Sequence, residues 1–166
     1  MRKSIPATPD ELIRYLDELG LETRTVSHPA VFTVEQARAL RVDLPGAHSK
    51  NLFLKDKKGQ LWLVVALADR KIDLKILRRQ ISAASLSFGK PELLFEVLGI
   101  EPGSVTPFAV INDAKKKIKV VLDEAMLKVD PLNFHPLTNT ATTQISATGL
   151  LAFLSALGLQ PMIIEL

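Results

Sequence analysis

The sequence predicts an α+β fold, one domain in which helices pack on a mixed, largely antiparallel sheet. Three observations point there. Hairpin signals interleave with single helical segments, and no regular strand–helix–strand alternation runs through the chain. Hydrophobic residues make up 47% of the 166 positions, enough to build a core of ordinary size. No internal repeat, low-complexity tract or linker divides the chain, so residues 1–166 are read as a single domain.

The elements follow in order. Thr8 is an N-cap, Pro9 suits the first helical position and Glu11 closes a capping box. Leu12, Ile13, Leu16 and Leu19 then form one apolar stripe, which Gly20 ends. A strand is expected over Thr23 to Val26, and His28-Pro29 turns the chain. Thr33 with Gln36 makes a second capping box, opening a helix through Leu40. Asn51 to Lys55 and Leu61 to Ala66 read as strands joined by the turn Asp56-Lys57-Lys58-Gly59. Asp73 caps a helix carrying Leu74, Leu77 and Ile81, and Pro91 opens another that Gly99 stops. A second hairpin is expected from Pro107 to Ile111 and from Ile118 to Leu122, turning at Asn112-Asp113. Thr142 to Ile145 is a short strand. Ser146 or Thr148 caps a last helix bearing Leu150, Leu151, Leu154 and Leu157, and Met162 to Leu166 is a final strand.

Composition excludes several chemistries. There is no cysteine, hence no disulfide, thiolate metal site or thiol nucleophile. The apolar run LWLVVALA is far shorter than the ~20 residues of a membrane helix, and MRKSIPATPDEL lacks the apolar centre of a signal peptide, so a cytoplasmic protein is expected. The sequence has no GxxxxGK[ST] loop, no GxGxxG turn and no GxSxG elbow. His28, His48 and His135 form no HExxH pair, so neither metal nor cofactor is expected. The net charge of +3 permits a polyanionic partner without demanding one.

Four polar segments remain between elements: HPAVFT from His28, PGAHSKNLFL from Pro45, PGSVTPF from Pro102 and NFHPLTNTATTQIS from Asn133. Taken singly, each has an ordinary explanation. Pro102-Gly103 is a turn, Lys50 a solvated lysine before a strand, and His28 and His135 turn residues before proline. The run Lys115, Lys116, Lys117 and Lys119 reads most simply as a solvated hairpin tip.

Together and in this order, from about Leu16 to the C-terminus, the four segments resemble the editing-domain superfamily of bacterial prolyl-tRNA synthetases. The resemblance is closer to its freestanding members, which hydrolyse alanyl-tRNA of the proline type. It implies a curved mixed sheet, a pocket for the aminoacylated 3′ end of tRNA(Pro), and ester hydrolysis that releases alanine. It further implies prolyl-tRNA synthetase or an elongation factor as candidate protein partners, and neither DNA nor membrane. The family's key lysine maps onto Lys50, its GxxxP loop onto Gly103, Ser104, Val105, Thr106 and Pro107, and its pocket histidine onto His135. Val31, Phe32, Thr33 and His135 are candidates for the pocket walls, and Asn139 joins the substrate-binding set. Related branches leave two alternatives open: a deacylase for another misacylated tRNA such as cysteinyl-tRNA(Pro), and a non-catalytic tRNA-binding module.

The residue types suit that chemistry. Hydrolysis of the ester passes through an oxyanion, which backbone N–H groups of a Gly103-Ser104-Val105 turn could meet, each worth on the order of 3 kcal/mol. Pro107 would fix the loop's exit. No strong general base is evident, and the ribose hydroxyl of the substrate could orient the water. Lys50 would supply a compact cation beside the terminal phosphate or ester. A synthetase pocket shaped for proline rejects smaller alanine weakly, because missing methylenes cost only ~1–3 kcal/mol each, so a second, smaller sieve has a purpose.

Overall fold

The structure is a computed structural model that describes residues 5–166. Its centre is the pair β2 (Ala47–Asp56) and β3 (Leu61–Leu67), antiparallel with Leu52 opposite Val64. Their side chains alternate between two cores. Phe53, Leu61, Leu63 and Val65 join the larger core, while Leu54, Trp62 and Val64 join the smaller. Burial on both faces explains why LWLVVAL is an unbroken apolar run rather than an alternating one.

The other strands are β1 (Thr23–Ser27), β4 (Leu86–Phe88), β5 (Ile118–Asp123), β6 (Leu132–Phe134), β7 (Ala141–Ile145) and β8 (Met162–Ile164). Among the described residues the sheet order is β1-β7-β6-β2-β3-β5-β8, with β4 paired to β2. Four pairings are antiparallel and three, β2 with β6, β3 with β5 and β5 with β8, are parallel. The mixed α+β architecture expected from the sequence is the one observed.

The helices are α1 (Pro9–Glu18), α2 (Val34–Asp43), α3 (Leu74–Gln80), α4 (Pro91–Leu98) and α5 (Ala147–Ala156). Both expected capping boxes form, Thr8 with Glu11 and Thr33 with Gln36. Ser146, rather than Thr148, caps α5 by accepting from Gly149 N–H at 2.9 Å. Leu12 and Leu16 of α1, Leu94 and Leu98 of α4, and Phe153 and Leu154 of α5 fill the larger core; Leu77 of α3 fills the smaller. No described helix is long and apolar enough to cross a membrane.

The second hairpin is not there. Pro107–Asn112 is a 3-10 helix, and Ile118–Asp123 pairs in parallel with β3 instead. Pro107 lacks an N–H for a ladder, and the Thr106 hydroxyl accepts from Phe108 N–H at 3.3 Å, which starts a helical turn. Phe108, Ala109 and Val110 are all buried, which a one-faced strand does not allow. Two short strands, β4 and β6, lie outside the expected set, and β2 begins four residues before Asn51. That early start depends on Gly46. Its φ is +105°, and a Cβ there would fall 2.1 Å from the Pro131 carbonyl oxygen.

Candidate active site

Where β2, β6 and β7 converge, the sheet opens into a cleft of about 100 Å³. Ser49 and Asn51 come from β2, Asn133 and His135 from β6 and the turn after it, and Thr142 from β7; Val31 and Leu40 supply apolar wall. The volume is well below the ~300–1,000 Å³ of pockets that enclose drug-sized ligands. It suits a group the size of a small amino acid.

The Asn133 amide is fixed in orientation. Asn133 donates its amide N–H groups to the carbonyls of Pro45 at 3.0 Å and Ala47 at 3.1 Å. Two carbonyl partners leave no ambiguity about which side-chain atom is nitrogen, so Oδ1 is the remaining group. Asn51 Nδ2 donates to Ser49 Oγ at 3.1 Å. Both amide oxygens, Asn51 Oδ1 and Asn133 Oδ1, are buried with no donor among the described residues. Buried acceptors without partners are costly and uncommon, and two lining one cleft mark a place for a donor that arrives with a ligand.

His135 donates from Nδ1 to the Ala141 carbonyl at 3.0 Å, so Nε2 carries the lone pair of the neutral ring. Burial pushes its pKa down, the Ala141 bond opposes this, and the neighbouring His28 adds to the lowering. The net position is below the ordinary histidine value, which keeps the ring neutral at pH 7. The His28 ring lies 6.3 Å away by centroids. His28 Nδ1 faces the Pro29 carbonyl, and Nε2 meets the Thr142 hydroxyl, both at 2.8 Å. Among the described residues no three His, Cys, Asp or Glu side chains group to hold a metal.

The residues singled out from sequence fall in different places. Val31 and His135 line the cleft. Phe32 is 80% exposed and outside the lining. Thr33 is exposed and spends its hydroxyl on capping α2. Lys50 lies on the face of β2 shared with Leu52 and Leu54, and its ammonium donates to the Arg70 carbonyl rather than lining the cleft. Gly103 and Ser104 form a short 3-10 turn, Pro102–Ser104. Ser104 N–H is taken by the Glu101 carbonyl at 2.9 Å. Gly103 has ordinary negative-region backbone, and a Cβ there would sit 3.3 Å from Asn139 Nδ2, so those two residues adjoin. Val105 packs against the larger core and Pro107 is buried.

Sequence reasoning passed over Asn51, Asn133, Ser49 and Thr142. A signal was present for two of them: Asn133 and His135 are two apart at a strand end, the spacing that puts both on one face.

The family described as aminoacyl-tRNA editing domain matches residues 28–153. The chain belongs to that family. It is 41% identical over 160 residues to the mouse prolyl-tRNA synthetase associated domain-containing protein 1, covering 93% of this chain and 94% of that one. It is 38% identical over 136 residues to the prolyl-tRNA editing protein ProX of Acetoanaerobium sticklandii, covering 81% and 83%. The multifunctional Ser/Thr-tRNA deacylase ProXp-y of Escherichia coli is more distant, at 29% over 132 residues and 77% of each chain. A solved structure described as a candidate trans-editing enzyme for prolyl tRNA synthetase superposes with a TM-score of 0.72 at 23% identity over 96% of both chains, which shows the shared fold. That family acts on tRNA substrates.

Proposed function

We propose that the protein hydrolyses the ester of mischarged alanyl-tRNA(Pro), releasing alanine and free tRNA. The observation that carries this reading is the small cleft with two unpaired buried acceptors, Asn51 Oδ1 and Asn133 Oδ1. An aminoacyl ester presents a cationic α-ammonium with three N–H donors, and two amide oxygens complement it. A charge-assisted hydrogen bond of that kind contributes about 1.5–3 kcal/mol. In this reading the methyl side chain of alanine lies against Val31 and the larger proline ring is refused by size. Family membership and the prolyl-tRNA editing relative support the same substrate class.

Around this anchor the remaining residues take these roles. Neutral His135 offers an acceptor to the attacking water or the ribose hydroxyl. Exposed Phe32, next to Val31, gives a flat face on which the terminal base can stack, an interaction worth ~1–3 kcal/mol per base elsewhere. The Gly103 turn with Asn139 serves the ester oxygen through the Asn139 side-chain nitrogen and through turn amides other than that of Ser104, which Glu101 holds, and Pro107 holds the loop's exit. Lys50 serves as the cation for phosphate or oxyanion by exchanging its bond to the Arg70 carbonyl.

The deciding experiment compares single-turnover hydrolysis of alanyl-, cysteinyl-, seryl- and prolyl-tRNA(Pro). Alanine is expected to leave fastest and proline to remain. Prolyl-tRNA cleaved at a comparable rate, or no cleavage of any, overturns the reading. Lys50→Ala is expected to lower the alanyl rate by roughly 30- to 1,000-fold at an unchanged Tm, matching a contact of ~2–4 kcal/mol. A folded variant with a near wild-type rate leaves Lys50 as a strut between β2 and the Arg70 turn.

A further inference from the structure

We propose that the end of the sheet remote from the cleft is a phosphate-binding surface for the helical part of the tRNA. The proposal rests on the tRNA substrate read from the cleft, but its residues and its test are separate.

Two lysine-bearing segments meet there. The end of β2 and the β2–β3 turn carry Lys55, Lys57 and Lys58; the segment before β5 carries Lys115, Lys116 and Lys117. Because β3 and β5 run parallel with Leu61 opposite Ile118, turn and segment lie side by side. Gln60 Nε2 ties them, donating to the Lys117 carbonyl at 2.8 Å and to the Leu61 carbonyl at 2.9 Å. All six lysines are exposed, and none has a carboxylate within 4.0 Å among the described residues.

A lysine-rich loop is ordinarily a solvated tip. Three features separate this one from that reading. First, its own acids are withdrawn from the surface. Asp56 and Asp113 are buried, and their oxygens accept from Lys58 and Gln60 N–H and from Lys117 and Ile118 N–H. Both segments are thereby held in fixed conformations, so the cations are pre-placed. Counting those two aspartates, six lysines give the segments +4 against +3 for the whole chain, leaving the rest of the protein near neutral. Second, the segments border a groove of about 470 Å³ lined by Lys55, Lys117, Gln60, Leu61, Leu93 and Val97. Cations above an apolar floor suit a sugar–phosphate strand. Third, the groove lies on the cleft's side of the sheet. Ser49, Asn51, Phe53 and Lys55 alternate onto one face of β2; the first two line the cleft and the last lines the groove. Four to six strand residues separate them, about 13–20 Å. A terminal nucleotide held in the cleft does not reach that far, but the stem behind it does.

The test is a variant with Lys57, Lys58, Lys115 and Lys117 all changed to Ala, and a second with the same four changed to Gln. Lys116 is kept because its ammonium lies over the Gly158 end of α5, and Lys119 because it covers the Trp62 ring at 5.3 Å. Binding of uncharged tRNA(Pro) transcript is measured against salt, beside hydrolysis of full alanyl-tRNA(Pro) and of an alanyl-CCA trinucleotide. The expected result is tRNA affinity at least tenfold weaker at low salt, a log–log salt slope shallower by about 2–3, and a parallel fall in kcat/KM on the full tRNA. The trinucleotide rate stays within about twofold. Unchanged tRNA affinity in a folded variant overturns the proposal, as does an equal loss on the trinucleotide. If the wild-type protein hydrolyses neither substrate, the cleft assignment fails while the binding arm still decides this one.

Discussion

At the end of β2 the buried Asp56 carboxylate receives four hydrogen bonds; in the middle of β2 and on neighbouring β6, the amide oxygens of Asn51 and Asn133 are buried and receive none among the described residues. One strand thus carries a fully used acceptor at its end and, five residues earlier, an idle one that faces a second on β6 across the cleft. Asp56 accepts from Lys58 and Gln60 N–H in the turn, and from Trp62 Nε1–H and Ala84 N–H beside it, at 2.9 to 3.3 Å. Burial pushes its carboxyl pKa up, but these donors outweigh burial and hold it below the usual carboxylate value. Its contribution to stability is therefore present above the unfolded carboxyl pKa and is lost as pH falls through the folded one. The Asp56 end is organised to fold, the cleft stretch to wait for a ligand's donors.

The largest effect expected from breaking that contrast is on stability. Asp56→Ala strands the Trp62 and Ala84 donors in a buried setting, at about 2–5 kcal/mol. Thermal melts should show a Tm lower by roughly 5–15 °C. Well below the melt, hydrolysis of the alanyl trinucleotide should change by less than about twofold, because the carboxylate lies far along the strand from the cleft. A large catalytic loss at an unchanged Tm would show that the two regions are not separate.

The reverse pattern is expected at the cleft. Asn51→Ala removes an acceptor that no protein donor uses, so stability should change by about 1 kcal/mol or less. If that oxygen meets the α-ammonium, the alanyl rate falls by roughly 10- to 150-fold, the equivalent of 1.5–3 kcal/mol. Asn133→Ala should add a stability loss, since its amide N–H groups also hold the Pro45 and Ala47 carbonyls. A wild-type rate in Asn51→Ala would make its oxygen a packing accident.

The same contrast governs what could be read in advance. Thr8 with Glu11 and Thr33 with Gln36 are local devices, complete within four residues, and both formed as written. The Asp56 turn and the doubly buried β3 are also short-range patterns. Pro107–Ile111 was misread because five apolar residues in a row carry no period, and Thr106 and Pro107 tipped it to a 3-10 turn. The strand β6 is three residues long and is held between β7 and a parallel pairing with β2, 85 positions away. Asn133 takes its orientation from carbonyls 88 and 86 positions away. The cleft is assembled from such long-range contacts. Its histidine was marked by the resemblance alone, while its two idle oxygens were invisible until the strands were brought together.

The smallest expected effect sharpens the contrast by acidity. At the Asp56 end, pH matters only in the carboxylate range; at the cleft it should matter in the histidine range. His135 has a pKa lowered first by burial and further by His28. A histidine whose folded pKa lies below its unfolded value of about 6.5 binds fewer protons folded than unfolded, so stability falls as pH drops through that window. NMR titration of the ring should place the His135 midpoint below the ordinary histidine value. The alanyl-hydrolysis rate should stay flat through neutral pH and fall only with that midpoint, because protonation takes the Nε2 lone pair. His28→Asn removes the neighbouring positive charge, so the His135 midpoint and the acid limb of the rate should move upward together. If the limb moves while the His135 midpoint does not, another group controls the rate, and His135 belongs with Asp56 among the residues that only hold the sheet together.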